Sequence, residues 1–435
     1  MNLRKWTWAI LFALSTFIVG CSDDDILPPS EIKSGYDNDQ VTLSLGESAE
    51  LTPEFDADDS SVYTWKLDGE VVSTTQDYTF EASNTGSFVL EFKVANEAGT
   101  ETVEYAVRVY GPYSKGIFIV NEGWFGHEPG SVNFWDRESD ELVKNAYKKE
   151  NPNNELGVTT QYACVYNYKL FLVSKVAPHL VVVNAETLKE IGRADLPEGA
   201  GQARGFVAID DTKGYLSTSD GIYPVDLTNF QLGDKIEGVG GEVGNMLVAK
   251  EKLFALQSSK VEILNTTDNT VEKTVALPNT AGGMVQDKDG IIWVGAKTNL
   301  VKINPSDLTE ETIDLPEGIS VNSSYGFAWN AGSLTYCKEN NTLYFAHSGG
   351  WSVKSVDCYN ITAGTAKQFV ELSDGYTLYG AGVYVDPVAN KIYMTATKGW
   401  SFDNNRFFVY ALDGTQEKTI DYDHYWFPAL MVAGE

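Results

Sequence analysis

Cysteine, histidine and methionine are scarce in this chain of 435 residues, at four, four and five copies. Four cysteines with no C-x-x-C pair exclude a zinc ribbon, a c-type haem attachment and a disulfide scaffold. The few histidines include no short-spaced pair of the kind that begins a metal site. H-E-x-x-H, G-x-S-x-G, the P-loop and the dinucleotide fingerprint are all missing. Positive charge is short as well: 32 Lys and Arg stand against 61 Asp and Glu, for a net charge of −29. A nucleic acid or an anionic bilayer would be repelled by that field, so neither is expected as a partner. Beyond residue 20 no apolar run is long enough to cross a membrane. Among the 61 acids no particular carboxylate pair stands out for glycoside hydrolysis, and the expectation is a non-enzyme without a cofactor or metal.

What is there begins with an address. Arg4 and Lys5 precede an apolar run from Trp6 to Val19 that is too short and wrongly flanked to span a bilayer, which reads as a signal peptide over 1–20. Ile18-Val19-Gly20-Cys21 resembles the bacterial lipobox, in which the cysteine is acylated; Cys21 is therefore the expected lipidation site. Ser22-Asp23-Asp24-Asp25 follows at once and resembles the acidic export signal of Bacteroides-type lipoproteins. The expectation is an outer-membrane lipoprotein facing the cell exterior, held by its lipid through a tether over 21–37.

The rest is β-structure. With 23 Tyr, 20 Phe, 10 Trp and 39 Gly, the composition favours strands and turns. Short alternating strands over 38–111, with Trp65 on a middle one, predict an Ig-like β-sandwich. The stretch Gly86-Ser-Phe-Val-Leu-Glu-Phe-Lys-Val-Ala-Asn-Glu-Ala-Gly99 within it resembles PKD-like modules. Over 112–435 one strand recurs seven times: Gly116-Ile-Phe-Ile-Val120, Lys169-Leu-Phe-Leu-Val173, Lys213-Gly-Tyr-Leu-Ser217, Lys252-Leu-Phe-Ala-Leu256, Gly290-Ile-Ile-Trp-Val294, Thr342-Leu-Tyr-Phe-Ala346 and Lys391-Ile-Tyr-Met-Thr395. Each precedes a second strand closed by Asn or Asp, at 136, 184, 226, 265, 304, 357 and 413, whose side chain starts the next turn. An apolar small-residue strand precedes each repeat, and a copy of it ends the chain. Seven such units predict a seven-bladed β-propeller closed by its C-terminal strand. Cys337 and Cys358 are left as a candidate disulfide, and Cys164 as a buried strand residue.

In a propeller, the loops from second to third strands and those from outer to next inner strands share one face. Pooled there are all four histidines and four of the eight tryptophans beyond residue 20. The opposite turns are Asp, Asn, Lys and Thr. Rings surrounded by amides and hydroxyls suit a large, partly apolar, neutral ligand. The candidate ligand contacts are Asn121, Glu122, Trp124, Phe125, His127, His179, Arg204, Asn245, Gln257, Tyr325, His347, Trp351, Tyr379, Trp400, Tyr425 and Trp426.

The repeated Lys-Leu-Phe/Tyr strand with its Asx-ended partner resembles YncE-like propellers over 116–435. Together with the lipobox and acidic tract, it is similar to BtuG-type surface lipoproteins. That resemblance implies capture of a corrinoid, cobalamin, on the aromatic face and handover to a TonB-dependent outer-membrane transporter. A surface glycan-binding protein and a protein-interaction propeller are the alternatives.

Overall fold

The computed structural model describes residues 26–326, 328–349, 353–399 and 404–434. Cys21, Trp351 and Trp400 lie outside them. The chain forms two compact units, Met1–Tyr110 and Gly111–Glu435.

The first unit is a β-sandwich. Its larger sheet runs in the order Gln40–Ser44, Thr100–Tyr110, Gly86–Ala95, Val62–Leu67, Glu70–Ser73; the smaller pairs Ser48–Leu51 with Tyr78–Glu81. Alternation decides the core. Leu90, Phe92 and Val94 point inward from one strand and Tyr105, Val107 and Val109 from its neighbour, all buried. Trp65 sits among them with its ring 4.6 Å from Phe92, and its indole N–H donates to the Thr75 carbonyl at 3.1 Å. A buried Trp needs such a partner, and Trp65 is a core residue.

The second unit is a seven-bladed propeller of four-stranded antiparallel blades. Blades two to seven take their strands in chain order, from Thr160–Tyr166 as the inner strand of blade two to Gln416–Tyr422 as the outer strand of blade seven. Blade one is composite. The C-terminal strand Pro428–Ala433 is its inner strand, hydrogen-bonded to Gly116–Asn121, and Ser131–Asp136 and Leu142–Val143 follow outward. This closure covers the edge that Gly116–Asn121 would otherwise expose.

Blades pack face to face, so middle strands are covered on both sides. Gly116–Asn121 is buried at every position, and Leu180–Asn184 at all but its last. That explains the continuous apolar runs that repeat in the sequence. Outer strands such as Glu310–Asp314 are mostly exposed and correspondingly polar. Between blades two and three the rings of Phe171 and Phe206 stack at 4.4 Å.

The Asx turns are present in all seven repeats, with one displacement. Asp136, Asn184, Asp226, Asn265, Asn304 and Asp413 each accept a backbone N–H two residues on. In blade six the third strand is Ser355–Asn360, and Asn360 starts the turn by accepting from the Ala363 N–H. Asp357, expected in that role, is instead buried in mid-strand. The candidate disulfide is also corrected. Cys337 and Cys358 are free thiols on strands that flank Thr342–Ala346 on opposite sides. Two strand spacings put them roughly 9–10 Å apart, beyond the ~7 Å reach of a disulfide.

Candidate functional site

Both sets of loops pooled from the sequence are braced together by the backbone. The Thr160 N–H donates to the Glu122 carbonyl, Lys175 to Thr159, Ser219 to Gln202 and Val321 to Lys297. Val243 donates to Thr218, Ala281 to Ser258, Ser348 to Ser320, Leu378 to Val353 and Glu122 to Phe427, which completes the circuit. These loops therefore share one face of the ring, here called the upper face.

On this face, among the loops of blades one, six and seven and the connection between blades five and six, lies a cavity of about 210 Å³, lined among others by Glu122, Asn322, Ser323, Trp329, Asn330 and Tyr379. Glu122 follows the second strand of blade one, and Gly123 turns the chain sharply after it. That glycine has φ +76°, and a Cβ there would lie 2.2 Å from the Pro129 carbonyl oxygen. Glu122 is consequently held inward and 6% exposed, with the Tyr379 hydroxyl donating to it at 3.1 Å. Burial pushes the Glu122 carboxyl up to about 7, against the lowering effect of nearby Lys175 and of the Tyr379 hydrogen bond. Burial in turn pulls the Lys175 ammonium down, while Glu122 and Glu242 pull it up.

Arg204 enters from the inner strand of blade three. Its Nε donates to Glu242 at 2.7 Å, Nη1 reaches Gln202 at 3.2 Å, and the guanidinium lies 5.8 Å from the Trp329 ring. The Tyr325 hydroxyl donates to the Leu256 carbonyl at 2.6 Å. Trp329 and Tyr325 close over Gly244, where a Cβ would lie 2.4 Å from the Trp329 Nε1 and 2.6 Å from the Tyr325 oxygen. Trp329, one wall of the cavity, thus also carries the Arg204 guanidinium that Glu242 holds.

An aromatic shelf stands beside the cavity on the loop after blade one's second strand. Trp124 stacks on His127 at 3.8 Å and leans on Trp426 at 4.9 Å; Tyr379 stacks on Phe427 at 4.8 Å. Trp124 and Phe125 are 42% and 58% exposed. Such a shelf offers ring faces to a planar or sugar-like ligand.

The other predicted residues are placed less favourably for contact. Asn121 is fully buried and donates to Ser131 at 3.2 Å, so it supports the loop and faces no ligand. Gln257 is buried too, donating to the Gly240 carbonyl at 2.9 Å. Asn245 is half-buried with its amide oxygen enclosed. His179 is tied to Asp195 and to the Leu196 N–H, at the end of blade two's outer strand. His347 is clamped by the buried Asp357, Nδ1 to Oδ2 at 2.6 Å. Tyr425 is half-buried against the core shared by blades one and seven.

With that geometry in hand, a family model described as a domain of unknown function, DUF5074, matches residues 115–433. The chain belongs to the DUF5074 family. A PKD-like domain model matches residues 29–96, within the sandwich. No curated protein matches. Among solved structures, this DUF5074 protein is similar to a quinonprotein alcohol dehydrogenase-like protein from Bacteroides thetaiotaomicron. The TM-score is 0.61 at 20% identity, over 94% of this chain and 99% of that one. It is also similar to hydrazine synthase from Kuenenia stuttgartiensis, with TM-score 0.50 and 13% identity over 72% of this chain and 94% of that one. At such identities the likeness concerns the fold alone.

Residues that sequence reasoning passed over are Lys175, Glu242 and Trp329. Lys175 and Glu242 fall within the pooled loops, but nothing in their local pattern separates them from solvated surface charges. Trp329 lies in an outer-to-inner connection between blades five and six, where no periodicity marks it.

Proposed function

We propose that this DUF5074 protein is a non-catalytic capture protein that holds a large, partly aromatic ligand on the upper face of the propeller. The observation that carries this reading is one juxtaposition. A cavity with converging polar groups, Glu122, Asn322, Asn330 and Tyr379, opens beside the exposed rings of Trp124 and His127, which lean on the half-buried Trp426. Few polar groups amid aromatic area is the usual make-up of a small-molecule site. The rigid ring of blades keeps the ordering cost of binding low. A corrinoid is the ligand class to try first, since the sequence resembles cobalamin-capturing surface lipoproteins; its macrocycle would lie on the shelf and its side-chain amides on the cavity's polar groups. In this reading Cys21 carries the lipid, the protein faces outward from the outer membrane, and a TonB-dependent transporter receives the ligand.

The exposed Trp124 and Phe125 rings favour one alternative, a surface glycan whose sugar rings stack on the same shelf. Calorimetric titration of the purified chain with cyanocobalamin and with a panel of soluble glycans separates the two. Tight one-to-one corrinoid binding is the expected result, and Trp124→Ala and Trp426→Ala should each weaken it by about thirtyfold or more. Heat from a glycan with none from the corrinoid would transfer the site to the polysaccharide reading.

A further inference from the structure

Glu122 lines the cavity with one carboxylate oxygen unused. Its Oε2 accepts from the Tyr379 hydroxyl at 3.1 Å, whereas Oε1 has no hydrogen-bond partner among the described residues. Although only 6% exposed, Glu122 forms no ion pair among them either. Other buried acids of the propeller differ: Asp386 lies 3.1 Å from the Arg137 Nε, and Asp357 lies 2.6 Å from the His347 Nδ1. A buried carboxylate without a counter-charge is costly. Two further groups on the same wall are open. The Asn322 amide and the Ser348 hydroxyl line the cavity and make no side-chain hydrogen bond among the described residues. Asn330, by contrast, is engaged, accepting from the Gly332 N–H at 2.9 Å and donating to the Ser323 carbonyl at 3.3 Å. Trp329 and Tyr379 add aromatic wall, and the described lining residues include no Lys, Arg or His. The volume of about 210 Å³ admits one ring-sized group, since a cavity of about 150 Å³ holds a benzene.

We propose that this cavity is an ammonium subsite, taking a charged primary amine of the captured ligand with Glu122 as its counter-charge. An ammonium group has three N–H donors and no acceptor. Glu122 Oε1, the Asn322 amide oxygen and the Ser348 hydroxyl oxygen are three acceptors on one small wall, none of them engaged by the protein. Aromatic rings beside them add the attraction of a ring face for a cation. The net charge of −29 concentrates cations around the chain and repels anions. The inference rests on the reading of this face as a ligand-binding face, not on the choice of a corrinoid, and it adds the charge that the ligand must carry. Burial pushes the Glu122 carboxyl up to about 7, and the titratable groups that bear on it are the Lys175 ammonium and the Tyr379 hydroxyl. Glu122 is therefore mostly protonated at pH 6 and mostly ionised at pH 8, and amine binding should strengthen about tenfold over that range.

The test titrates the purified chain with cyclohexylammonium and with cyclohexanol, its neutral counterpart, by saturation-transfer NMR at pH 6 and pH 8. At pH 8 the amine should bind about tenfold more tightly than the alcohol. Glu122→Gln keeps an acceptor for the Tyr379 hydroxyl and supplies no charge. It should weaken the amine about tenfold or more at pH 8 and flatten the pH dependence, which separates Glu122 from Lys175. A thermal scan verifies that this variant folds. Asn322→Leu removes an acceptor and no charge, and should weaken the amine about three- to tenfold. Equal binding of amine and alcohol, amine binding unchanged in both variants, or no amine binding at all overturns the inference. Parallel titrations with cyanocobalamin and the glycan panel keep the two readings apart. Heat from either with no amine binding leaves capture standing and removes the subsite. Glu122-dependent amine binding with silence from both keeps the subsite and removes capture of those two ligand classes.

Discussion

The two units of the chain treat polar burial in opposite ways. Among the described residues of the sandwich, Ser34 is the one polar side chain that is buried. The propeller buries Glu122, Glu186, Arg204, Glu262, Asp287, Asp357 and Asp386. A sandwich of this kind satisfies itself with rings and aliphatics, which suits a spacer. The propeller instead meets the cost of desolvating charge repeatedly, and the difference shows what to look for. Several of these charges are matched locally: Asp287 takes the Trp293 indole N–H at 2.8 Å, and Asp386 takes the Tyr393 hydroxyl at 3.0 Å and lies 3.1 Å from the Arg137 Nε. Burial raises the Glu122 and Asp357 carboxyls, and both residues meet the upper-face loops. Buried charge alone does not mark a site; charge whose partners fall short of its desolvation does.

The largest expected effect tests the matched class. Asp386 ends the inner strand of blade seven, while Arg137 follows the third strand of blade one, so their pair bridges the closure of the ring. Asp386→Ala would take the counter-charge from the Arg137 guanidinium, which keeps only its bond to the Gly116 carbonyl, and the acceptor from the Tyr393 hydroxyl, at a cost of about 3–5 kcal/mol. Denaturant unfolding of the propeller transition measures it. A loss under about 1 kcal/mol would mean that solvent already satisfies Arg137, and the matched class would shrink by one.

Next comes the unmatched class. With the Glu122 carboxyl near 7 in the folded chain and 4.5 as its ordinary value, the native state holds the proton more tightly than the unfolded one. Stability from this group is then complete below pH 4.5 and is lost as pH rises through 7, by about 3 kcal/mol in all. Glu122→Gln keeps an acceptor for the Tyr379 hydroxyl and cannot ionise. It should match the parent at pH 5 and exceed it by roughly that amount at pH 8, read from melting curves at both values. Equal pH profiles for the two proteins would place the Glu122 carboxyl in water.

How much of this was legible in the sequence follows from the range of each interaction. The blades repeat because each middle strand is covered on both faces, and that requirement is written locally, as in Lys169-Leu-Phe-Leu-Val173. The Asx turns are local too, two residues from acceptor to donor. Blade six shows the limit: Asp357 and Asn360 both end plausible strands, and only the pairing of Val356 with Ala346 and Val370 decides the frame. The site is legible as a face and not as contacts. Glu122 and Tyr379 were both candidates, yet the hydrogen bond joining them spans 257 residues and leaves no pattern in either neighbourhood. Asn121 was read as a contact because it adjoins Glu122; strand alternation turns it into the protein. Trp329 was invisible because it lies in a long connection between blades, where no repeat marks a ring that walls the cavity.

The smallest effect belongs to the sandwich, and it is where the comparison is easiest to break. Val71 and Val89 are 60% and 50% exposed on the larger sheet. Register puts Val71 opposite Lys66, and Val89 opposite Ala106, on the face turned away from Trp65 and Phe92. If this unit is a spacer whose stability resides in its ring core, trimming that face should matter little. Val71→Thr and Val89→Thr keep the β-branched shape that suits a strand and should each change stability by less than about 0.5 kcal/mol. Neither should alter binding of whatever ligand the propeller takes. A large loss of binding in either variant, with unfolding unchanged, would make the exposed valines a recognition surface, and burying no charge would then be the mark of a docking face instead of a spacer.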